Sequence, residues 1–309
     1  IRDRSNTAVE MGATWFQAEH RLLIQLLKEL DLSPFSQFME GTAFFQQIPK
    51  AKPDSFQLPP QAPSYRIAGG TSQLIQTLYQ KLDPDDVLLN QAVSRIERKH
   101  NSIHVQATDS FEADLVVLSL PPKLWANQIV FEPRLPADIV EIAQQTHTWM
   151  EDSIKVGLVY ERPFWREKGQ SGTLFSNAGP LTEFYDHSNA IDSKYALCGF
   201  VTSNYTHHSP EARKKLILAQ LVLTFGEAAA DFLEYHESVW SKEMHTCYPS
   251  NAPIYPHQNN GNPIFRDSVY EQTLIFSSSE VAPHFGGYME GAVYAARDVA
   301  GRIKGFYKV

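Results

Sequence analysis

Cysteine is scarce: Cys198 and Cys247 are the two cysteines in 309 residues. Two thiols cannot build the disulfide framework that staples small secreted folds, and these two do not stand at metal-ligand spacing. The scarcity suits a reducing compartment. Long apolar runs are missing too, and nothing approaches the roughly 20 residues that a helix needs to cross a bilayer. No basic block stands out: 27 Lys and Arg face 35 Asp and Glu, a formal charge of −8, which argues against a surface for nucleic acid or anionic membrane. His207-His208 and His245 have no carboxylate or cysteine at ligand spacing, so no metal site is expected. The chain holds no Gly-x-Ser-x-Gly elbow, P-loop or His-Glu-x-x-His motif, and no internal repeat or low-complexity tract. Its polar opening, Ile1-Arg2-Asp3-Arg4-Ser5, is unlike a signal peptide and is an odd place for a fold to begin. The expectation is a soluble, cytoplasmic protein whose natural start lies upstream.

What is present suits a folded enzyme. Hydrophobic residues make up 43% and aromatics 12%, enough for one large or two moderate domains with a sizeable core. Leu22, Leu23, Leu26, Leu27 and Leu30 share one helical stripe, predicting a helix over residues 19–30 that stops near Pro34. Residues 47–63 hold Pro49, Pro53, Pro59, Pro60 and Pro63 and read as extended linker or surface loop. Gly69-Gly70-Thr71 then opens a helix with Leu74, Ile75, Leu78 and Leu82 at helical spacing. Residues 92–97 and 103–107 alternate like a strand pair, and Leu115-Val116-Val117-Leu118 reads as a buried strand ending at Pro121-Pro122. Residues 154–160 and 273–276 predict strands, and 211–225 and 288–303 predict helices.

Two segments carry chemistry. The first is Phe276-Ser277-Ser278-Ser279-Glu280, followed by Gly286-Gly287-Tyr288-Met289-Glu290-Gly291-Ala292-Val293. It reads as strand, polar turn, glycine pair and helix. Glycines let a flat ring or phosphate approach the backbone, and the helix N-terminus favours an electron-rich group. The second is Ser153-Ile154-Lys155 through Tyr160, closed by Pro163-Phe164-Trp165. A lone lysine at a strand start is ordinarily solvated. A buried one shifts its pKa readily and can position or activate water.

Together these segments resemble the flavin-containing amine oxidase (monoamine oxidase) family. The resemblance implies an α/β fold in which an incomplete, Rossmann-like FAD-binding module interleaves with a mixed-sheet-plus-helix substrate domain. It assigns residues 1–35, 64–135 and 270–309 to the FAD side, 136–269 to the substrate domain, and 36–63 to a linker or shortened insertion. It implies catalytic roles for Lys155, which in the family reaches the flavin through a water, and for Tyr288, one face of an aromatic cage. FAD contacts are implied at Gly12, Ala13, Gly69, Gly70, Val93, Ser279, Glu280, Gly287, Met289 and Glu290. Tyr248 and Tyr255 are candidates for the second cage wall, near Trp240, Glu243 and Thr246, which resemble the family's Trp-x-x-Glu…Thr stretch. Cys247-Tyr248 is similar to a pair that links flavin covalently in some members, but Met244-His245-Thr246 replaces the preceding glycines, so FAD is expected to be non-covalent.

The family's opening Gly-x-Gly-x-x-Gly turn has no counterpart here. Without it the chain is expected to hold FAD weakly. The implied function is oxidation of a small-molecule amine by hydride transfer to flavin, with O2 reoxidation to H2O2. A desaturase-like or protoporphyrinogen-oxidase-like flavoprotein, or a non-catalytic relative that binds no FAD, are the alternatives.

Overall fold

A computed structural model describes residues 9–249, 253–267 and 269–307; the polar opening segment lies outside them. In chain order its first elements are α1 (Arg21–Glu29), β1 (Pro34–Ser36), β2 (Thr42–Gln46), β3 (Asp54–Gln57), β4 (Tyr65–Ile67) and α2 (Thr71–Tyr79). Next come β5 (Arg95–Arg98), β6 (Ile103–Gln106), β7 (Ser110–Ala113), β8 (Val116–Leu118), α3 (Pro122–Gln128), β9 (Val130–Glu132) and α4 (Ala137–Gln144). Then follow β10 (Ile154–Tyr160), α5 (Phe164–Glu167), β11 (Gln170–Ser176), β12 (Leu181–Asp186) and β13 (Tyr195–Val201). Last are α6 (Pro210–Phe225), β14 (Glu234–Val239), β15 (Leu274–Phe276) and α7 (Met289–Tyr307). The fold is mixed α/β, as expected. The chain divides into two compact units: residues 1–19, 27–79 and 152–240, and residues 20–26, 80–151 and 241–309.

The first unit is built on a seven-stranded sheet in the order β14-β10-β13-β12-β11-β2-β3. Its pairings are antiparallel except for β11 with β2. Every residue of β10 is buried. Alternation then decides what each side chain meets. Ile154, Val156, Leu158 and Tyr160 pack with Ile217, Leu221 and Phe225 of α6. That helix starts cleanly: the Ser209 hydroxyl accepts from the Ala212 amide at 3.2 Å and Pro210 occupies its first turn. It stops at Gly226, whose φ of 90° removes it from helical geometry.

The other face of β10 presents Lys155, Gly157 and Val159, and here the N-terminal segment lies on the sheet. Val9 and Met11 cluster with Val159 and Ala196. A Cβ on Gly157 would stand 2.4 Å from Val9 Cγ1. Glycine is what lets this segment approach. Gly157→Ala is therefore expected to cost about 1–3 kcal/mol in urea unfolding, as overpacking does. A loss of only a few tenths would mean that residues 9–14 yield without strain.

Residues 47–63 are not wholly the extended linker or surface loop expected: β3 lies within them, pairs with β2 and extends the sheet beyond β11. The prolines flank these strands and do not interrupt them, so the composition of the stretch concealed an ordinary hairpin-like pair. The apolar stripe after Gly70 also differs from expectation. Leu74 is buried, whereas Ile75 is 62% exposed and Leu78 and Leu82 are exposed as well.

The second unit contains a four-stranded sheet, β7-β6-β5-β9, and a parallel pair, β15-β8. The predicted pairing of β5 with β6 is present, with Ile96 opposite Val105. The core gathers Ile96, Leu118, Ile139, Leu274 and Ala295 around Trp125, which stacks on Phe276 at 4.5 Å. This core draws residues 80–135 and 270–309 together with 136–151 and 241–269. Within the unit, Glu290 of α7 receives the amides of Leu22 (3.0 Å) and Leu23 (2.7 Å), capping α1 with a remote carboxylate. No helix among the described residues is long and apolar enough to cross a membrane.

Candidate active site

In the first unit the geometry is organised by Glu10. Its Oε1 accepts from the Thr71 amide at 2.8 Å and lies 2.6 Å from the Thr71 hydroxyl, so a carboxylate caps α2. Its Oε2 accepts from Arg66 Nε at 3.1 Å, and Arg66 Nη1 donates to the Ser188 carbonyl at 2.9 Å. The Gly69-Gly70 turn just before α2 has φ of +83° and +84°, the left-handed region that favours glycine. Glu10 thereby ties residues 9–14 to that turn, and Ala13 joins it: its carbonyl accepts from the Thr71 hydroxyl at 2.8 Å.

The Glu10 amide donates to His187 Nε2 at 3.1 Å, so Nε2 is an acceptor and the imidazole is neutral. The 3.5 Å approach of the same nitrogen to Glu10 Oε2 is then a close passage and not an ion pair. Burial first, then the charges of Arg66 and Lys155, push the His187 pKa well below 6.5. The sign of the resulting pH dependence follows. Below 6.5 the unfolded chain binds a proton that the native state refuses, so stability falls as pH drops, by about 1.4 kcal/mol per unit. His187→Gln is expected to flatten that slope in urea melts between about pH 7 and about pH 5. An identical slope in the variant would place the acid sensitivity elsewhere.

Lys155 stands where the sequence placed it, on β10, and is buried to 1% exposure. Its Nζ donates to the Gly12 carbonyl at 2.8 Å and to Thr14 Oγ1 at 2.6 Å. It lies over the rings of Trp15 (4.9 Å) and Phe200 (5.4 Å). No carboxylate pairs with it among the described residues. Burial lowers its pKa; the nearby Cys198 and Glu10 oppose the shift and Arg66 adds to it. Beside it, Trp240 Nε1 donates to the Met11 carbonyl at 2.9 Å. A Cβ on Gly12 would meet Trp240 ring atoms at 3.6 and 3.8 Å, ordinary contact, so the indole packs against this turn.

A cavity of about 830 Å³ lies in the same unit, walled by Trp15, Phe35, Phe38, Phe175, Tyr185 and Phe200. Trp15 and Phe200 are the rings against Lys155 Nζ. Periodicity alone gave no signal for this cavity, because its rings come from five separate segments.

The remaining predicted residues lie in the second unit. Ser279 Oγ donates to Glu280 Oε2 at 3.1 Å, and the Ser279 carbonyl receives the Gly287 amide at 3.2 Å. The neighbouring Ser278 hydroxyl is buried without a partner. Gly286 and Gly287 serve packing: added Cβ atoms would stand 2.9 Å from Asn260 Cβ and 2.9 Å from Trp149 Cβ. Tyr288 faces His257, ring to ring at 5.4 Å and 21°, and His257 stacks on Trp149 at 4.1 Å. Neither Tyr248 nor Tyr255 makes a ring contact among the described residues, and Tyr255 is 74% exposed. The ring that does face Tyr288 is His257, two residues beyond Tyr255. Val93 is half-buried just before β5, packed on the second core. Met289 begins α7, and Glu290 is engaged in capping α1.

Residues 54–304 match the family model for flavin containing amine oxidoreductases. The chain belongs to that family. Putrescine oxidase of Kocuria rosea is 29% identical over 260 residues, covering 78% of this chain and 53% of that protein. Flavin-containing amine oxidase A of Equus caballus is 27% identical over 249 residues, covering 77% and 46%. The chain thus spans about half the length of the curated relatives it matches. Its fold resembles cyclohexylamine oxidase from Brevibacterium oxydans IH-35A, with a TM-score of 0.83 at 21% identity over 97% of this chain and 88% of that one. It also resembles putrescine oxidase bound to putrescine, with a TM-score of 0.80 at 23% identity over 96% and 88%.

FAD is the cofactor that family membership implies. The residues present fit it at one orphaned buried group: the Ser278 hydroxyl beside Ser279-Glu280, which has no hydrogen-bond partner among the described residues.

Proposed function

We propose that the protein oxidises a small-molecule amine, with the substrate bound in the cavity of the first unit. The observation that carries this reading is Lys155: a buried lysine without a carboxylate partner, held under the Gly12–Thr14 turn and backed by rings that also wall the cavity. When bound, FAD supplies the two-electron acceptor for hydride from the carbon bearing the amine, with O2 reduced to H2O2 as the final step. The chain contributes positioning and electrostatics. Lys155 can hold or release a proton at Nζ, since burial brings its pKa down toward the working range. The aromatic walls exclude water and attract a cationic or lone-pair-bearing nitrogen through their ring faces. The backbones of Gly12, Ala13, Gly69 and Gly70 are assigned to non-covalent cofactor contact in the first unit; Val93, Ser279, Glu280, Gly287 and Met289 are assigned to it in the second. Tyr288 with His257 forms an aromatic wall in place of a two-tyrosine cage.

Purified protein reconstituted with FAD tests the reading. The expected result is a flavin spectrum that bleaches on anaerobic addition of an amine and returns with O2, releasing H2O2. A protein that takes up no FAD would support the non-catalytic alternative. One that binds FAD and is not bleached by any amine would support the desaturase-like alternative.

A further inference from the structure

We propose that Glu183 forms a second cation subsite in this cavity, and that the preferred substrate class is an aliphatic diamine or polyamine. The proposal rests on the amine reading above. Its geometry comes from strand register. Lys155 on β10 pairs with Phe200 on β13, Phe200 pairs with Glu183 on β12, and Glu183 pairs with Phe175 on β11. Cross-strand partners project from one face, so these four residues form a single row across the sheet. Neighbouring strands lie about 4.8 Å apart, which sets the Cα atoms of Lys155 and Glu183 about 10 Å apart along the row. Phe200, Glu183 and Phe175 all line the cavity.

The charges around the cavity decide what its far end will accept. Both lining arginines are already neutralised. Arg66 is paired with Glu10. Arg166 donates to Asp186 through Nε (2.7 Å) and Nη2 (2.9 Å) and to Asp192 through Nη1 (2.6 Å). Asp186 is further satisfied by Trp165 Nε1 at 2.7 Å and the Ser188 amide at 2.9 Å. Glu183 differs. Its Oε2 accepts from the neutral Tyr185 hydroxyl at 2.8 Å, and no cation pairs with it among the described residues. Burial and the adjacent carboxylate keep that hydroxyl in its donating form. An uncompensated carboxylate set among aromatic rings attracts an ammonium group from two directions. A diamine can place one nitrogen toward the Lys155 end and the other at Glu183. A monoamine of the same length sets a methyl group against the carboxylate.

Calorimetric titration of diaminobutane and of butylamine, the same chain without the second ammonium, tests the subsite on the FAD-loaded protein. The wild type is expected to bind diaminobutane about 10- to 100-fold more tightly, the range for a hydrogen bond to a charged group. In Glu183→Gln, which keeps shape and removes charge, the ratio is expected to collapse to within about threefold. Glu183 and Glu40 are both exposed carboxylates lining the cavity, but only Glu183 stands in the row with Lys155, so the ratio should survive Glu40→Gln. A ratio near one in the wild type, a ratio that persists in Glu183→Gln, or one that collapses in Glu40→Gln would overturn the assignment. If neither amine binds, the amine reading itself falls and takes the subsite with it. If butylamine binds as tightly as diaminobutane, the amine reading stands and the subsite alone is lost.

Discussion

Lys155→Met is expected to slow amine turnover by about 10²–10⁴-fold, the range over which proton-transfer and positioning groups contribute. The side chain that replaces the lysine is similar in length and apolar, and it enters a site formed by Trp15, Phe200 and the sheet face. What disappears is a buried ammonium donating to the Gly12 carbonyl and to Thr14. The stability change should stay near about 1 kcal/mol, because the lost hydrogen bonds are offset by removing a desolvated charge. Stopped-flow measurement of flavin reduction by amine and of reoxidation by O2 separates the two half-reactions. If both change by no more than a few-fold while flavin stays bound, Lys155 only supports the turn above it. A pH–rate profile adds an independent readout: the limb belonging to the lowered lysine pKa should vanish in the variant.

Glu10→Ala should be the most destabilising single change in the first unit, at about 3–5 kcal/mol in urea unfolding. It strands the Arg66 guanidinium, which is 3% exposed, without a counter-charge. It also removes the acceptor from the Thr71 amide at the head of α2. The size of the effect comes from leaving a buried charge unpaired and does not measure the worth of the pair. Glu10→Met combined with Arg66→Met is accordingly expected to recover much of the loss. A Glu10→Ala cost below about 1 kcal/mol would mean that water reaches Arg66 and that the clamp is loose.

The regular elements were legible in the sequence where periodicity spoke plainly. The strand over 154–160 and the leucine helix appear as read, because one is apolar throughout and the other carries a clean stripe. Residues 47–63 misled because proline content outweighed the short Asp-Ser-Phe-Gln strand, which joins the sheet only through β2, itself paired with β11 far along the chain. The place of Lys155 on a strand was legible in the sequence, whereas the role expected of it came from the family resemblance of its strand and of Pro163-Phe164-Trp165. Glu10, Arg66 and His187 were not legible, since nothing local marks three polar residues as destined for one buried cluster. Glu183 is less visible still: it becomes interesting only once register sets it in line with Lys155. His257 escaped notice because a histidine two residues past a tyrosine looks like surface until Trp149 stacks on it.

The alternation of β10 through β13 separates two kinds of evolutionary pressure within the same few strands. Ile154, Val156, Leu158, Leu174, Phe184 and Leu197 point to the helix-covered side, where a change in volume is felt by the whole unit. Their neighbours Lys155, Phe175, Glu183 and Phe200 stand on the opposite side, at or beside the cavity. Tolerance to mutation should therefore alternate along each strand, with substrate range free to drift at one residue while the next holds the fold. If the cavity holds the amine as proposed, a lineage could exchange one amine for another by rewriting every second residue of this sheet, without disturbing the core on its reverse.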